Sequence, residues 1–449
     1  MGSCSGKTVN TTARCVGRRS VGAGARGMVQ HVAVIGAGPI GLEMAAGAVL
    51  RGFRVTVFER GAQIAANVRS WGHVALFSSN ELNLSAHGSA LLREAGVALP
   101  AADAFPTGAQ YVAEYLEPLA AALRASDRVE IRCGCAVLAI GRGALTKGQA
   151  IGACEARSAA PFEMLVLEEG QEHLVGGIDA LVDASGTYGN PNWLGRGGRP
   201  ALGERALRAA GAIQYTLPSD GADADALLRG GTVAVIGSGA SAITTLAMLR
   251  AKCAASGAAL SVVWVTRRAG PPYALIDGDP LPQRAALHQL GNELAAASGA
   301  PGTPVAATGM CVDHRGGYQV VGLAQGADEE GITLQLEQSA DGAKDTVTVR
   351  HVIAHVGYRP DTSLTSELQV HYCYASEGPM KLAAAMMAAG GGGGDCLAQV
   401  SPGPATMLNP EPGFFVVGMK SYGRGSAFLL KIGHEQCEHV LSLLDSHVA

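Results

Sequence analysis

The chain has 449 residues, with 34 Lys+Arg against 38 Asp+Glu, a formal net charge of −4, 48 % hydrophobic residues and 62 glycines. That apolar content excludes a disordered polyelectrolyte, the lack of a three-residue glycine period excludes collagen, and the slight negative charge offers phosphate backbones no general attraction, so no nucleic-acid partner is expected. The length predicts two or three domains, and glycine at about twice its ordinary usage has to be placed.

Residues 1–28 hold Lys7, Arg14, Arg18, Arg19 and Arg26 with no acid and several Ser and Thr. This suits an organelle transit peptide as well as it suits a disordered tail or a start at Met28. The expected location is the cytoplasm, or a chloroplast or mitochondrion if the tail is a targeting signal. Val32 to Leu50 is nearly apolar enough to span a bilayer. Glu43 and a Gly-Ala-Gly-Pro turn divide it, so no integral membrane segment is expected.

Val32–Ile35 reads as a buried strand, Gly36-Ala37-Gly38-Pro39-Ile40-Gly41 follows at once, and a helix is predicted through Leu50. A second strand, Phe53–Phe58, ends at Glu59, which lies 23 residues after Gly36. This is the βαβ dinucleotide fingerprint. Gly36 permits the tight turn, Gly38 lets the backbone approach a pyrophosphate and Gly41 brings helix and strand close. The helix N-terminus supplies free N–H groups, and an acid about 20 residues on reaches a ribose hydroxyl.

Ten cysteines are scattered without the density of a secreted scaffold, which fits a reduced compartment. Cys133-Gly134-Cys135 has no second pair to complete a zinc site, so no metal is expected. Asp179–Gly186 reads as a strand ending in small residues, followed by the turn-rich Thr187–Asn192. The fingerprint then recurs: strand Thr232–Ile236, loop Gly237-Ser238-Gly239-Ala240-Ser241-Ala242, a helix through Lys252, and strand Ser261–Val265. About 200 residues separate the two loops, which makes this a domain duplication. The second unit ends in Thr266-Arg267-Arg268 where the first ends in an acid. Arginines clamp a ribose 2′-phosphate, so the first site is expected to hold FAD and the second NADPH. His351–Asp361 resembles Asp179–Asn192, and both read as crossings between domains. Ala383–Gly394 reads as a flexible low-complexity loop, Gly413–Gly418 as a strand entering a glycine turn, and Ser426–Leu444 as a helix whose N-terminal dipole faces that turn.

These motifs resemble, in order and over nearly the whole chain from Gln30, the two-dinucleotide-binding-domain flavoproteins: glutathione reductase, thioredoxin reductase and the class B flavin-dependent monooxygenases. Gly357-Tyr-Arg-Pro-Asp361 is similar to the family's junction between domains. The resemblance implies an α/β fold of two Rossmann-like three-layer dinucleotide-binding domains. The FAD domain is discontinuous, at 29–200 plus 362–449, and the NADPH domain occupies 201–361. The resemblance also places Arg60, Trp71, Val137, Gly186, Gly418 and Met419 beside the FAD.

The reductases carry Cys-x4-Cys or Cys-x-x-Cys pairs, and neither spacing exists here. Phe105-Pro-Thr107 with Tyr111, Tyr115 and Leu116 resembles a stretch of the flavin-containing monooxygenases. The monooxygenase fingerprint expected before the second loop is missing its histidine, and Val356 stands where threonine is usual. The branch implied is a monooxygenase acting on a small molecule and O2 through a flavin C4a-peroxide. An NADPH-dependent reductase with another acceptor, and a degenerate flavoprotein acting by binding alone, are the alternatives. Asn83, then Asn80, is implied at the flavin edge, with His73 as a proton shuttle and Lys420 on the flavin's polar side. A second copy of the chain is a candidate partner.

Overall fold

The computed structural model describes residues 29–298, 309–326, 331–390 and 400–446. The N-terminal tail, most of the glycine run, and Cys4, Cys15 and Cys396 lie outside them.

His31–Ile35 is buried along its whole length because it is a central strand. It pairs in parallel with Arg54–Glu59 on one side and Ala180–Asp183 on the other. Val129–Cys133 and Phe414–Val416 complete the five-stranded sheet as its edges. Successive side chains leave opposite faces of a strand, and the two faces meet different layers. Val32, Val34, Val55, Val57, Ala180 and Val182 pack on helices 39–50, 117–124 and 430–445. Ala33, Ile35, Phe58, Leu181 and Phe414 pack on an antiparallel sheet of Cys135–Arg142, Phe162–Glu168 and Gln171–Ile178. An apolar run with no polar alternation is what a strand covered on both faces requires.

The second unit repeats this plan. Its parallel sheet runs in the order 310–316, 260–266, 232–236, 351–354, 213–214. Val233, Val235, Val262 and Trp264 face helices 240–256 and 282–296. Ala234, Ile236, Val263 and Val265 face the antiparallel strands Tyr318–Gln325, Ile332–Gln338 and Lys344–Val349. Each unit therefore has three layers. The two expected crossings lie against each other: the Asn192 amide N–H donates to Gly357 O at 3.0 Å, that of Arg359 to Asn190 O at 3.0 Å, and the Tyr188 and Tyr358 rings lie 4.9 Å apart.

Two local expectations are corrected. The start of the Ala383–Gly394 run is not a loop, because Met380–Ala388 forms a helix with Leu382 and Ala383 buried. Ala, Leu, Met and Lys are strong helix formers, and an apolar face was available to dock them. The last helix begins at Leu430 and not at Ser426, with Leu429 in an extended conformation as its N-cap.

Behind the first glycine loop, the buried Glu43 of helix 39–50 accepts from His87 Nδ1 at 2.6 Å and from the Gly88 amide at 3.1 Å. Arg51, Glu438 and Asp445 extend this network onto helix 430–445. The hydrogen bond to Glu43 outweighs burial and holds the His87 imidazole above its ordinary pKa. A histidine raised in the folded state contributes stability that is complete below about pH 6.5 and is lost as pH rises through the folded value. The stability difference between the wild-type chain and His87→Gln, measured by urea unfolding, should therefore shrink from pH 5.5 to pH 8.5. A flat difference would exclude the charged pair.

Candidate functional site

Both glycine loops sit at the carboxyl edge of a parallel sheet, where open α/β sheets bind ligands. Gly36 has φ +100°, and a Cβ there would lie 2.8 Å from Ala184 O. At Gly41 a Cβ would lie 1.9 Å from Gly36 O, whereas at Gly38 it would meet nothing within 4 Å. The turn, the open approach and the tight packing are thus divided among the three glycines. The second loop repeats the division. Gly237 has φ +121° and no room beside His355 O, Gly239 is open, and Ala242 is buried against the helix packing layer. The indole N–H of the buried Trp264 holds this loop by donating to Gly237 O at 2.8 Å. Helices 39–50 and 240–256 start at Gly38 and Gly239 with no side-chain cap, with Pro39 in the first turn of the former. Both N-termini therefore present unused donors to an anion.

The Glu59 carboxylate accepts from the Ala37 amide at 2.9 Å and the Gly61 amide at 2.7 Å, which locks the first loop to the end of strand 54–59. A cavity of about 340 Å³ opens over this edge. Gly36, Glu59, Arg60, Val137 and Gly186, expected from the sequence to lie beside a cofactor, are among the residues that line it. It also contains groups that sequence reading missed: Cys135, Ser185, Thr187, Asn190 and Asp361. Burial alone would raise the Asp361 carboxyl, but the Ser363 hydroxyl and amide together with Lys420 and Arg60 hold it below the usual carboxylate range. Gly418 has φ +72° and stands against Ile40 in the first turn of helix 39–50. Its N–H donates to Gln436 Oε1 at 2.8 Å, which brings helix 430–445 to the same corner. Met419, next to it, is half-buried.

On the second sheet Ser238 and Ser241 are half-buried, while Ala240, Arg267 and Arg268 are exposed beside the open Gly239. Arginines so placed are free to meet a phosphate.

Other expected residues fall elsewhere. Asn83 is fully buried on its own turn. It accepts from the Ser78 hydroxyl at 2.5 Å and donates to Ser78 O at 2.8 Å, while the Tyr111 hydroxyl donates to its carbonyl. Asn80 donates to Ala101 O at 2.9 Å. Both amides thus hold their own turn together, and neither lines the first cavity. Tyr115, whose hydroxyl meets Ser85, supports the same turn. Thr107 opens its helix as a capping box with Gln110, which accounts for that motif locally. Trp71 packs over Gly108, where a Cβ would come within 2.8 Å of the indole. His73 is half-buried, with Nε2 shielded from solvent and unpartnered. Lys420, by contrast, does line the first cavity; it is buried, with its ammonium 2.6 Å from Asp183 Oδ2.

All seven described cysteines are free. Burial pushes the Cys133 and Cys135 thiols up. Among the described residues no group of His, Cys, Asp and Glu is arranged to hold a metal, and no helix is long and apolar enough to cross a membrane.

Two three-layer α/β units, each with an open glycine loop, make up the fold, and solved structures of two reductases and a hydroxylase share it. The first loop and its flanks, residues 31–69, match the family described as pyridine nucleotide-disulphide oxidoreductase. The bacillithiol disulfide reductase of Bacillus cereus shares the fold with a TM-score of 0.62 at 18 % identity, covering 93 % of this chain and 99 % of that one. The ornithine N-hydroxylase of Kutzneria sp. 744 gives 0.58 at 16 % identity, covering 94 % and 100 %. The thioredoxin reductase of T. acidophilum gives 0.55 at 14 % identity, covering 93 % and 98 %. No curated protein sequence matches the chain.

Proposed function

We propose that this chain is an oxidoreductase that holds FAD at the first sheet and NADPH at the second, and that it passes the electrons to O2 as a monooxygenase of a small molecule. The observation that carries the cofactor assignment is the contrast at the two strand ends. Glu59 is fixed beside the first open loop, and Arg267 and Arg268 are exposed beside the second. When bound, the flavin accepts a hydride from the nicotinamide and delivers electrons onward. Glu59 accepts from the adenosine ribose. The uncapped first turn at Gly38 would hold a phosphate of the dinucleotide, and Gly418, Met419 and the N-terminus of helix 430–445 would favour negative charge on the flavin. In the half-buried stretch 71–77, His73 is the group able to move a proton.

The chain's cysteine spacings favour the monooxygenase branch, since they leave no dithiol to relay electrons from flavin to disulfide. A second reading, a reductase serving an acceptor other than O2, gains from the commitment of Asn80 and Asn83 to their own turn. The two readings separate when NADPH-reduced protein is mixed with O2. A delayed return of the oxidised flavin spectrum, with hydrogen peroxide released only as slowly as the spectrum returns, supports the monooxygenase, and immediate return with stoichiometric peroxide supports the reductase. Absence of flavin after reconstitution would remove both.

The arginine pair makes a separate prediction. Bidentate contact with a 2′-phosphate contributes about 1.5–3 kcal/mol. The double replacement of Arg267 and Arg268 by alanine should then weaken NADPH about 10- to 100-fold and leave NADH nearly unchanged. Equal losses for the two nucleotides would count against this role.

A further inference from the structure

Lys420 follows the strand Phe414–Val416 and is 1 % exposed, yet it forms part of the first cavity's wall. Its ammonium donates to Asp183 Oδ2 at 2.6 Å and to Ser185 Oγ at 3.1 Å. The Ser185 hydroxyl and amide in turn donate to Asp183 Oδ1, at 2.6 and 3.1 Å. An ammonium has three N–H donors. Two are spent on Asp183 and Ser185, which fix the nitrogen without occupying the third. Asp183 is itself fully buried, so the pair is held in a low-dielectric floor where a remaining donor has most effect.

Position along the sheet edge decides what that donor meets. The strands run 414–416, 180–183, 31–35, 54–59. Neighbouring strands lie about 4.8 Å apart. Glu59, at the ribose position, ends strand 54–59, and the loop at Gly36 and Gly38 follows the next strand. Ser185 and Gly186 follow strand 180–183, one strand further, and the Lys420 ammonium reaches Asp183 at the end of that strand from beyond strand 414–416. A dinucleotide laid along this edge puts its adenosine-side phosphate at the helix N-terminus. Its second phosphate then reaches the Lys420 floor, beside Gly186, where a Cβ would meet nothing within 4 Å.

We propose that Lys420, oriented by Asp183 and Ser185, is the ligand of the cofactor's second, flavin-side phosphate, and so acts as a binding residue and not as a reacting group. This rests on the reading of the first cavity as the FAD site. The other charges facing the cavity are Glu59, Arg60 and Asp361. Arg60 is exposed at the rim and Asp361 is held by Ser363, so Lys420 is the cation on the cavity floor.

The test uses the full chain freed of nucleotide, with AMP, ADP and FAD as probes in calorimetric titrations. AMP carries the adenosine-side phosphate alone, and ADP adds the second. Wild-type protein should bind ADP at least tenfold more tightly than AMP. Lys420→Met alone leaves Asp183 buried without its partner and endangers folding, so the informative variant is Asp183→Asn with Lys420→Met, which removes both charges. It should bind ADP and FAD about tenfold or more weakly and AMP as the wild type does. Equal wild-type affinities for ADP and AMP, or equal losses on AMP and ADP in the variant, would overturn the proposal, and the first of these needs no variant. If wild-type protein binds ADP but not FAD, the reading of the cavity as an FAD site fails while the role of Lys420 toward a second phosphate is still decided by the AMP and ADP titrations.

Discussion

Glu411→Gln is expected to destabilise the chain by about 3–5 kcal/mol, the cost of leaving buried charge without its partner. Arg142, Arg157 and Glu411 are each 1 % exposed. Arg157 Nε lies 3.1 Å from both carboxylate oxygens and its Nη2 2.6 Å from Oε2. Arg142 Nε stands 3.4 Å from Oε1, and its guanidinium lies 3.8 Å over the Phe162 ring. One carboxylate thus answers two buried guanidinium groups, and burial already lowers Arg142 to about 10. Glutamine keeps the volume and an acceptor while removing the charge, so the loss isolates the electrostatics. Urea unfolding at neutral pH should show a lower midpoint at unchanged slope. A loss below about 1 kcal/mol would mean that water or another anion compensates the arginines. Because the segment 411–412 leads directly into the edge strand Phe414–Val416, the same variant should also lower affinity for the first-site ligand, through the corner formed by Gly418 and Lys420.

Gly38→Val and Gly239→Val should each abolish binding at one site while leaving the fold intact. Gly38 has φ −79° and ψ −175°, and Gly239 has φ −83° and ψ 177°, extended values that any residue adopts. A Cβ at either position meets no atom of the protein. The space it would fill is the approach to the helix N-terminus, so its cost falls on the ligand alone. Gly38→Val is expected to yield protein of unchanged melting temperature without flavin. Gly239→Val is expected to retain flavin and lose NADPH affinity by at least 100-fold, since a displaced phosphate forfeits several amide donors together. The contrast is with Gly41→Val and Gly237→Val, where the Cβ would stand 1.9 Å from Gly36 O and 2.1 Å from His355 O and the fold itself must yield. Flavin retained by Gly38→Val would show that the first cavity takes its ligand away from the glycine loop.

How much was legible beforehand differs by kind of feature. Both loops, Glu59 at the end of its strand, and the division of glycine roles could be read directly, because a turn, an open approach and a close helix contact are set by residues within one βαβ unit. The apolar strands also announced their burial on both faces, although the identity of the covering layers did not show. Tyr111 and Tyr115 suggested a family motif, and in the structure they support the turn at Asn83 and Ser85. The Ala-Met run reads as loop in the sequence because its glycine neighbour dominates the composition. The helix Met380–Ala388 exists because an apolar surface elsewhere receives Leu382 and Ala383.

By itself, the sequence determined two dinucleotide-binding units and the opposite charge at their strand ends, since these depend on spacings of about thirty residues or fewer. Only the tertiary structure decided which distant groups share a site. Lys420 and Asp183 are 237 positions apart, and Arg157 and Glu411 254. They meet because the strand 414–416 from the end of the chain inserts beside 180–183. No local pattern records that insertion: strand order is fixed by how the sheets bury their faces, and a buried charge finds its partner across whatever edge that order brings to it.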